Sequence, residues 1–236
     1  MNYLKLGKIV CQKINQNLPH ISTTKMNRLV EDISLKNPNV LNNYYQLSSF
    51  NWFCSLRELQ CKSSAKDSSI LGILSWFNKK AIPNMNSARE YYNIPGLSNI
   101  EKLEFNLKQL LNRKMGNCQE NAIAATTILK MNGVKNACVA SLKHDNSYID
   151  HVVSVFNKDG SLFTGEIVNN KTIIVDPWIG VTDYANNYFA KYRSLLSEFM
   201  YIPKEGKISL GQVNQLDINE RDLSLMTENF QYLLVR

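Results

Sequence analysis

Gly116-Asn117-Cys118-Gln119-Glu120-Asn121-Ala122 opens the segment GNCQENAIAATTILKMN (116–132), and its reading decides the fold. Met115-Gly116 interrupts the helical pattern that precedes it, and Asn117 starts a new helix. Asn is a favoured N-cap, and Glu120, three residues on, completes a capping box by reaching back to the cap backbone. Gly133 closes the helix at its C-terminal end. Cys118 therefore falls in the first turn, where unpaired N–H groups and the helix dipole favour the thiolate. The same N–H groups can hold an oxyanion on an attacked carbonyl. A nucleophilic thiol needs this setting, and a core cysteine does not.

Downstream the texture changes to short β-branched runs, 136–142 (NACVASL), 150–156 (DHVVSVF) and 172–176 (TIIVD), divided by turn signals at 144–146 and Asp159-Gly160. They read as three adjacent antiparallel strands. His151 opens the second, sharing a face with Val153, and Asp176 ends the third just before Pro177-Trp178. An acid at that strand end can lie beside the histidine on the neighbouring strand, orienting the imidazole and stabilising its charged form. Each residue also has a plain structural use: Cys118 as a small buried group, His151 as a strand-edge polar group, Asp176 as a turn former before proline. Their order, on a helix start and adjacent strands, favours the catalytic use.

The segments GNCQENA, DHVVSVF and IIVDPWIG, within about residues 110–180, resemble the papain-like and transglutaminase-like superfamily. The DPW ending is similar to cysteine-dependent deamidases and transglutaminases among bacterial effector and toxin domains. The resemblance implies an α+β fold: a helix-rich N-terminal part, then a catalytic helix packed on an antiparallel sheet. It implies Cys118 as nucleophile, His151 as general base and acid, and Asp176 as the orienting residue. The expected activity is acyl transfer from a protein glutamine carboxamide through a thioester, ending in deamidation or a crosslink. A papain-like protease is the alternative, and a binding module with a vestigial triad is another. Arylamine N-acetyltransferases share the residue order, but their cysteine motif is richer in glycine and aromatics. For a second oxyanion donor Gln109, Asn112, Asn117 and Gln119 stay open, and Trp178 is expected to wall the substrate channel or to pack. Such a triad calls for no cofactor.

The first hundred residues read as helices, over 1–18, from 22 or 23 to about 35, over 41–60 and over 67–80, with an aromatic core from Trp52, Phe53, Trp76 and Phe77. Ser98, with Glu101 three residues on, caps the next helix (97–114). Domains are expected at 1–97, a basic helical lobe, and 98–236, the catalytic core. Beyond the strands a helix is expected over 183–199, extended segments at 207–217 and a helix from about 220. His144 is read as a loop-tip residue and Asp183 as part of the N-cap region of the next helix, while Cys11, Cys54, Cys61 and Cys138 are read as packing groups.

Of 236 residues, 44% are hydrophobic and 20% charged, with 10 Gly and 6 Pro, which excludes disordered or low-complexity material. Five Cys without a CxxC pair and three His argue against a zinc site or a disulfide framework and for a reducing compartment. No apolar run reaches the ~18 residues of a membrane span, and no signal peptide is evident, so a soluble protein secreted by a signal-peptide-independent route into a host cytosol is the expectation. Residues 1–100 hold 12 Lys/Arg against 5 Asp/Glu and so carry the whole +7 net charge, while residues 101–236 hold 15 of each. The basic charges are scattered among Asn and aromatics. That favours a solvated helical surface, and an acidic host protein over nucleic acid as partner.

Overall fold

The structure, a computed structural model, describes residues 2–17, 90, 94–113, 116–145, 147–163, 170–197, 202 and 205–234. The helices expected within 22–80, with Trp52, Trp76, Cys54 and Cys61, lie outside the described residues. The chain divides into two compact units, Met1–His20 with Ile94–Arg236, and Ile21–Asn93. The first of these holds the sheet. Helix α1 (Tyr3–Asn17), which the sequence reading assigned to the N-terminal lobe, belongs to that unit.

Five strands form one antiparallel sheet: β1 (Cys138–His144), β2 (Ser147–Asn157), β3 (Thr172–Asp176), β4 (Val181–Tyr184) and β5 (Ile208–Gln215), in the order β4-β3-β2-β1-β5. The three expected strands are its centre, and together with the helices the sheet gives the expected α+β class. Helix α2 (Asn99–Arg113) precedes α3 (Cys118–Met131). Ser98 caps α2 as expected, its N–H donating to Glu101 Oε2 at 2.8 Å.

Helix α3 is apolar or small nearly all round, and such a helix belongs inside a fold. It packs against β1, β2 and β3 with α1, α2 and α6 (Glu220–Asn229) around it. Thr126 Oγ1 donates to Ser154 Oγ at 2.7 Å, tying α3 to β2. On the other face of the strands, Val153, Val155 and Ile174 join Ala185 and Tyr188 of α4 (Ala185–Lys191) and Leu196 of α5 (Arg193–Ser197) in one core cluster. Period-two alternation accounts for this division between the two faces.

Three expectations are corrected in detail. Residues 183–184 pair with β3 instead of starting a helix, because Val181 and Thr182 extend the sheet through a ladder that joins Ile173 to Tyr184. The N-cap is accordingly Tyr184, with Asp183 Oδ1 accepting its N–H at 2.7 Å. The helix expected over 183–199 is interrupted at Tyr192, where neither Gly nor Pro marks the break. His144 is the last residue of β1, 8% exposed and not at a loop tip, because β5 pairs with it through Ile208 and its Nε2 bonds the carbonyl of Glu205. Cys11 and Cys138 are buried, as read. Among the described residues no helix is long and apolar enough to cross a membrane.

Helix α1 lies close against β3 and β4 because Gly7 has no side chain. A Cβ there would stand 2.8 Å from Thr182 Cγ2 and 3.0 Å from Val175 Cγ2. Gly7→Val is expected to destabilise the protein by about 1–3 kcal/mol through overpacking, read as a lower urea midpoint. An unchanged midpoint would show that α1 does not sit on these strands in solution.

Candidate functional site

The tip of α3 is built by its neighbours. Asn117 N–H donates to Glu120 Oε2 at 2.8 Å, and the Asn117 side chain meets the Glu120 N–H, which completes the expected capping box. Asn106 of α2 donates through Nδ2 to the Glu120 carbonyl at 2.9 Å, and Asn121 Nδ2 to the Asn117 carbonyl at 2.7 Å. A Cβ on Gly116 would come within 2.5 Å of Leu110 Cδ2, so any side chain there would have to displace the buried Leu110. Cys118 is half-buried at this tip, unlike Cys11 and Cys138. The N–H groups of the first turn have no helical carbonyl to meet and point to the helix end.

His151 and Asp176 come together across the sheet. Val155 faces Ile174 and Ser154 faces Val175, so continuing the register by one step sets Asp176 opposite Val153. Val153 shares its face with His151, two residues away. His151 does not open its strand, as expected, but lies within β2, level with a slip in the β1–β2 ladder. Ser141 pairs with Val152 and Leu142 with Ile149, which leaves Asp150 and His151 without partners in β1. Irregularities of this kind re-aim a side chain.

His151 is 0% exposed and Asp176 1%. A buried charge must be paired and hydrogen-bonded. Nε2 of His151 meets Asp176 Oδ2 at 2.6 Å. Tyr188 of α4 donates its hydroxyl to the same oxygen at 2.6 Å. Oδ1 accepts the backbone N–H groups of Trp178 at 3.1 Å and Ile179 at 3.3 Å. Pro177 holds the turn that presents both. The Trp178 ring is buried and lies 5.1 Å from the imidazole, which places it as a packing wall of the pair.

The other imidazole nitrogen, Nδ1, is buried with no partner at ordinary hydrogen-bond geometry. Burial disfavours a charged imidazole, but the charge and hydrogen bond of Asp176, joined by hydrogen bonding and charge from Cys118, outweigh it and raise His151 from 6.5 to about 10. Cys118 therefore lies close enough to act on this imidazole. The structure thus brings Cys118, His151 and Asp176 into one neighbourhood. Of the residues held open as oxyanion donors, Asn117 caps α3, Gln119 is exposed in its first turn, and the side chains of Gln109 and Asn112 lie outside the described residues. Among the described residues no group of three His, Cys, Asp or Glu could hold a metal ion. Tyr188 went unnoticed in the sequence, where an aromatic in ANNYFAK gives no sign of its partner.

A family model described as a transglutaminase-like domain matches residues 55–195, more than half of the chain. No curated protein and no solved structure matches it.

The raised His151 value makes stability depend on pH. Below the ordinary value of 6.5 both folded and unfolded chains carry the proton, and the full stabilisation is present. As pH rises through about 10 the folded form loses its proton, and the stabilisation disappears. Wild type minus Asp176→Asn unfolding free energy, from urea titrations, is therefore expected to fall between pH 6.5 and 10. A flat difference would remove the ion pair from the account.

Proposed function

We propose, because the chain belongs to the transglutaminase-like domain family, that it transfers acyl groups from protein glutamine carboxamides through a thioester on Cys118. The observation that carries the reading is the 2.6 Å contact of His151 Nε2 with Asp176, which leaves Nδ1 for the thiol at the tip of α3. In the resting pair the imidazole already holds the proton that the thiol gives up, and Asp176 stabilises that imidazolium. The thiolate attacks the carboxamide carbon, and first-turn N–H groups stabilise the oxyanion. The imidazolium then protonates the departing nitrogen, ammonia leaves, and a thioester remains on Cys118. Water activated by the neutral imidazole releases glutamate, and a lysine amine in its place gives a crosslink.

The carboxamide, in preference to a backbone amide, is supported by the likeness of IIVDPW to deamidase and transglutaminase motifs of bacterial effectors. In the same reading the basic first hundred residues choose an acidic host partner. Lys5 and Lys8 are exposed on α1. Reversing both to Glu is expected to slow turnover of such a partner at low salt and much less at high salt, where surface charge is screened. Equal slowing at both would count against an electrostatic role.

Cys118→Ala is expected to abolish turnover while the protein stays folded, since a half-buried thiol leaves little cavity. Asp176→Asn, which fixes the wrong imidazole tautomer, is expected to lower kcat by roughly two to four orders of magnitude. Intact-mass spectrometry of partners incubated with the enzyme reads the chemistry. A gain of about one dalton is deamidation, and a joined mass less ammonia is a crosslink. Fragments with new backbone termini, lost with Cys118→Ala, would make the protein a protease and overturn the carboxamide reading.

A further inference from the structure

Asp176 Oδ2 accepts from two side chains at equal distance, His151 Nε2 and the Tyr188 hydroxyl, both at 2.6 Å. Its other oxygen is occupied by two backbone N–H groups of the Pro177 turn. The carboxylate is therefore already anchored through Oδ1, and Tyr188 is not needed merely to keep it in place. What the phenol changes is the oxygen that faces the imidazole. A donor that shares an acceptor oxygen draws charge from it and weakens its pull on the other donor.

We infer that Tyr188 is a positioning residue for the His151–Asp176 pair, its phenol sharing the oxygen that holds His151 and so limiting how tightly the imidazole keeps its proton. The inference deepens the reading of Cys118 and His151 as a proton-transfer pair. An imidazole that holds its proton too firmly is a poor acid toward the leaving nitrogen, so a restraint on Asp176 favours the second half of the reaction.

Tyr188 is suited to this part. It is fully buried, and the rings of Phe189 and Tyr192 stand 5.8 and 5.6 Å from its own, fixing its direction. Burial, with the Asp176 charge and hydrogen bond, pushes the phenol well above its ordinary range, so it remains a donor across the pH at which the imidazole titrates. Among the described residues, the titratable groups that act on His151 are Cys118 on α3 and Asp176 on β3, with Tyr188 on α4 reaching it through Asp176. Tyr192 and Cys11 lie a step beyond, Tyr192 against the Tyr188 ring and Cys11 donating through Sγ to the Asp176 carbonyl at 3.8 Å.

The test needs no substrate. Nitrogen NMR of the imidazole rings follows His151 through pH in the full chain, which has 3 His, with His151→Gln to assign the signal. Tyr188→Phe keeps the ring and removes the donor, and the His151 midpoint is expected to rise by about half a unit, part of what one hydrogen bond does to a carboxylate. 3-Fluorotyrosine placed at position 188 by stop-codon suppression is a stronger donor and should lower the midpoint. Opposite shifts support the inference; an unmoved midpoint, or shifts in one direction, overturns it. Should Tyr188→Phe not fold, the fluorotyrosine protein decides alone, with any result but a lower midpoint counting against. Opposite shifts without acyl transfer to any carboxamide would retire the proposed function and leave Tyr188 its part. Acyl transfer with an unmoved midpoint would do the reverse.

Discussion

The carboxylate of Asp176 is a buried negative charge, and a lone carboxylate inside a protein would take up a proton instead of remaining ionised. Four donors answer it: two main-chain N–H groups from the turn at Pro177, the phenol of Tyr188 and the imidazole of His151. They arrive from three parts of the chain, so one acceptor group at the end of β3 meets β2, the turn after β3 and α4. The N-terminal helix α1 joins them at the main chain, where Cys11 meets the Asp176 carbonyl. Gly7, seated against Val175 and Thr182, lies on the strands next to that same end.

The second fixed point is the tip of α3. A helix that begins inside a protein must satisfy its first N–H groups without filling the space a substrate needs. Here Glu120 and Asn117 cap each other, and Asn106 steadies the Glu120 carbonyl from α2, while Cys118 keeps part of its surface open. Gly116 lets the chain turn against Leu110 with no side chain intervening. The polar work at the tip is done by residues facing inward, and the thiol is left half-open.

Local patterns in the sequence were enough to put Cys118 at a helix start, His151 on a strand and Asp176 at a strand end, because each position is announced by its neighbours: a capping pair, an alternating β-branched strand, a strand stopped by proline. They were enough also for the central strands and for Ser98. They failed where the deciding contact is remote. Tyr188 has its meaning only beside Asp176, twelve residues away in sequence but across a turn, a strand and the start of a helix. Val181–Tyr184 is strand only because β3 is there to pair with it. His144 is covered by a strand more than sixty residues later, and Gly206, at φ 95°, lets that chain approach closely where a side chain would not fit. The slip that frees Asp150 and His151 from the ladder has no mark in DHVVSVF at all.

Cys11 and Cys118 show how little the residue type alone decides. Both lie on helices near Asp176. Burial, with the charge of Asp176 added, pushes the Cys11 thiol up to about 12, offset only in part by a hydrogen bond with Thr182, and the thiol itself donates to a main-chain carbonyl. A thiolate there would stand in an apolar interior next to a negative charge. Cys118 instead sits at the positive end of a helix, half-open, beside an imidazole that Asp176 keeps ready to be charged. The carboxylate thus acts directly on Cys11, and it reaches Cys118 only by way of His151. Surroundings therefore separate the two: Cys11 is buried against the Asp176 main chain, while Cys118 is half-open at a helix start with an imidazole between it and the carboxylate.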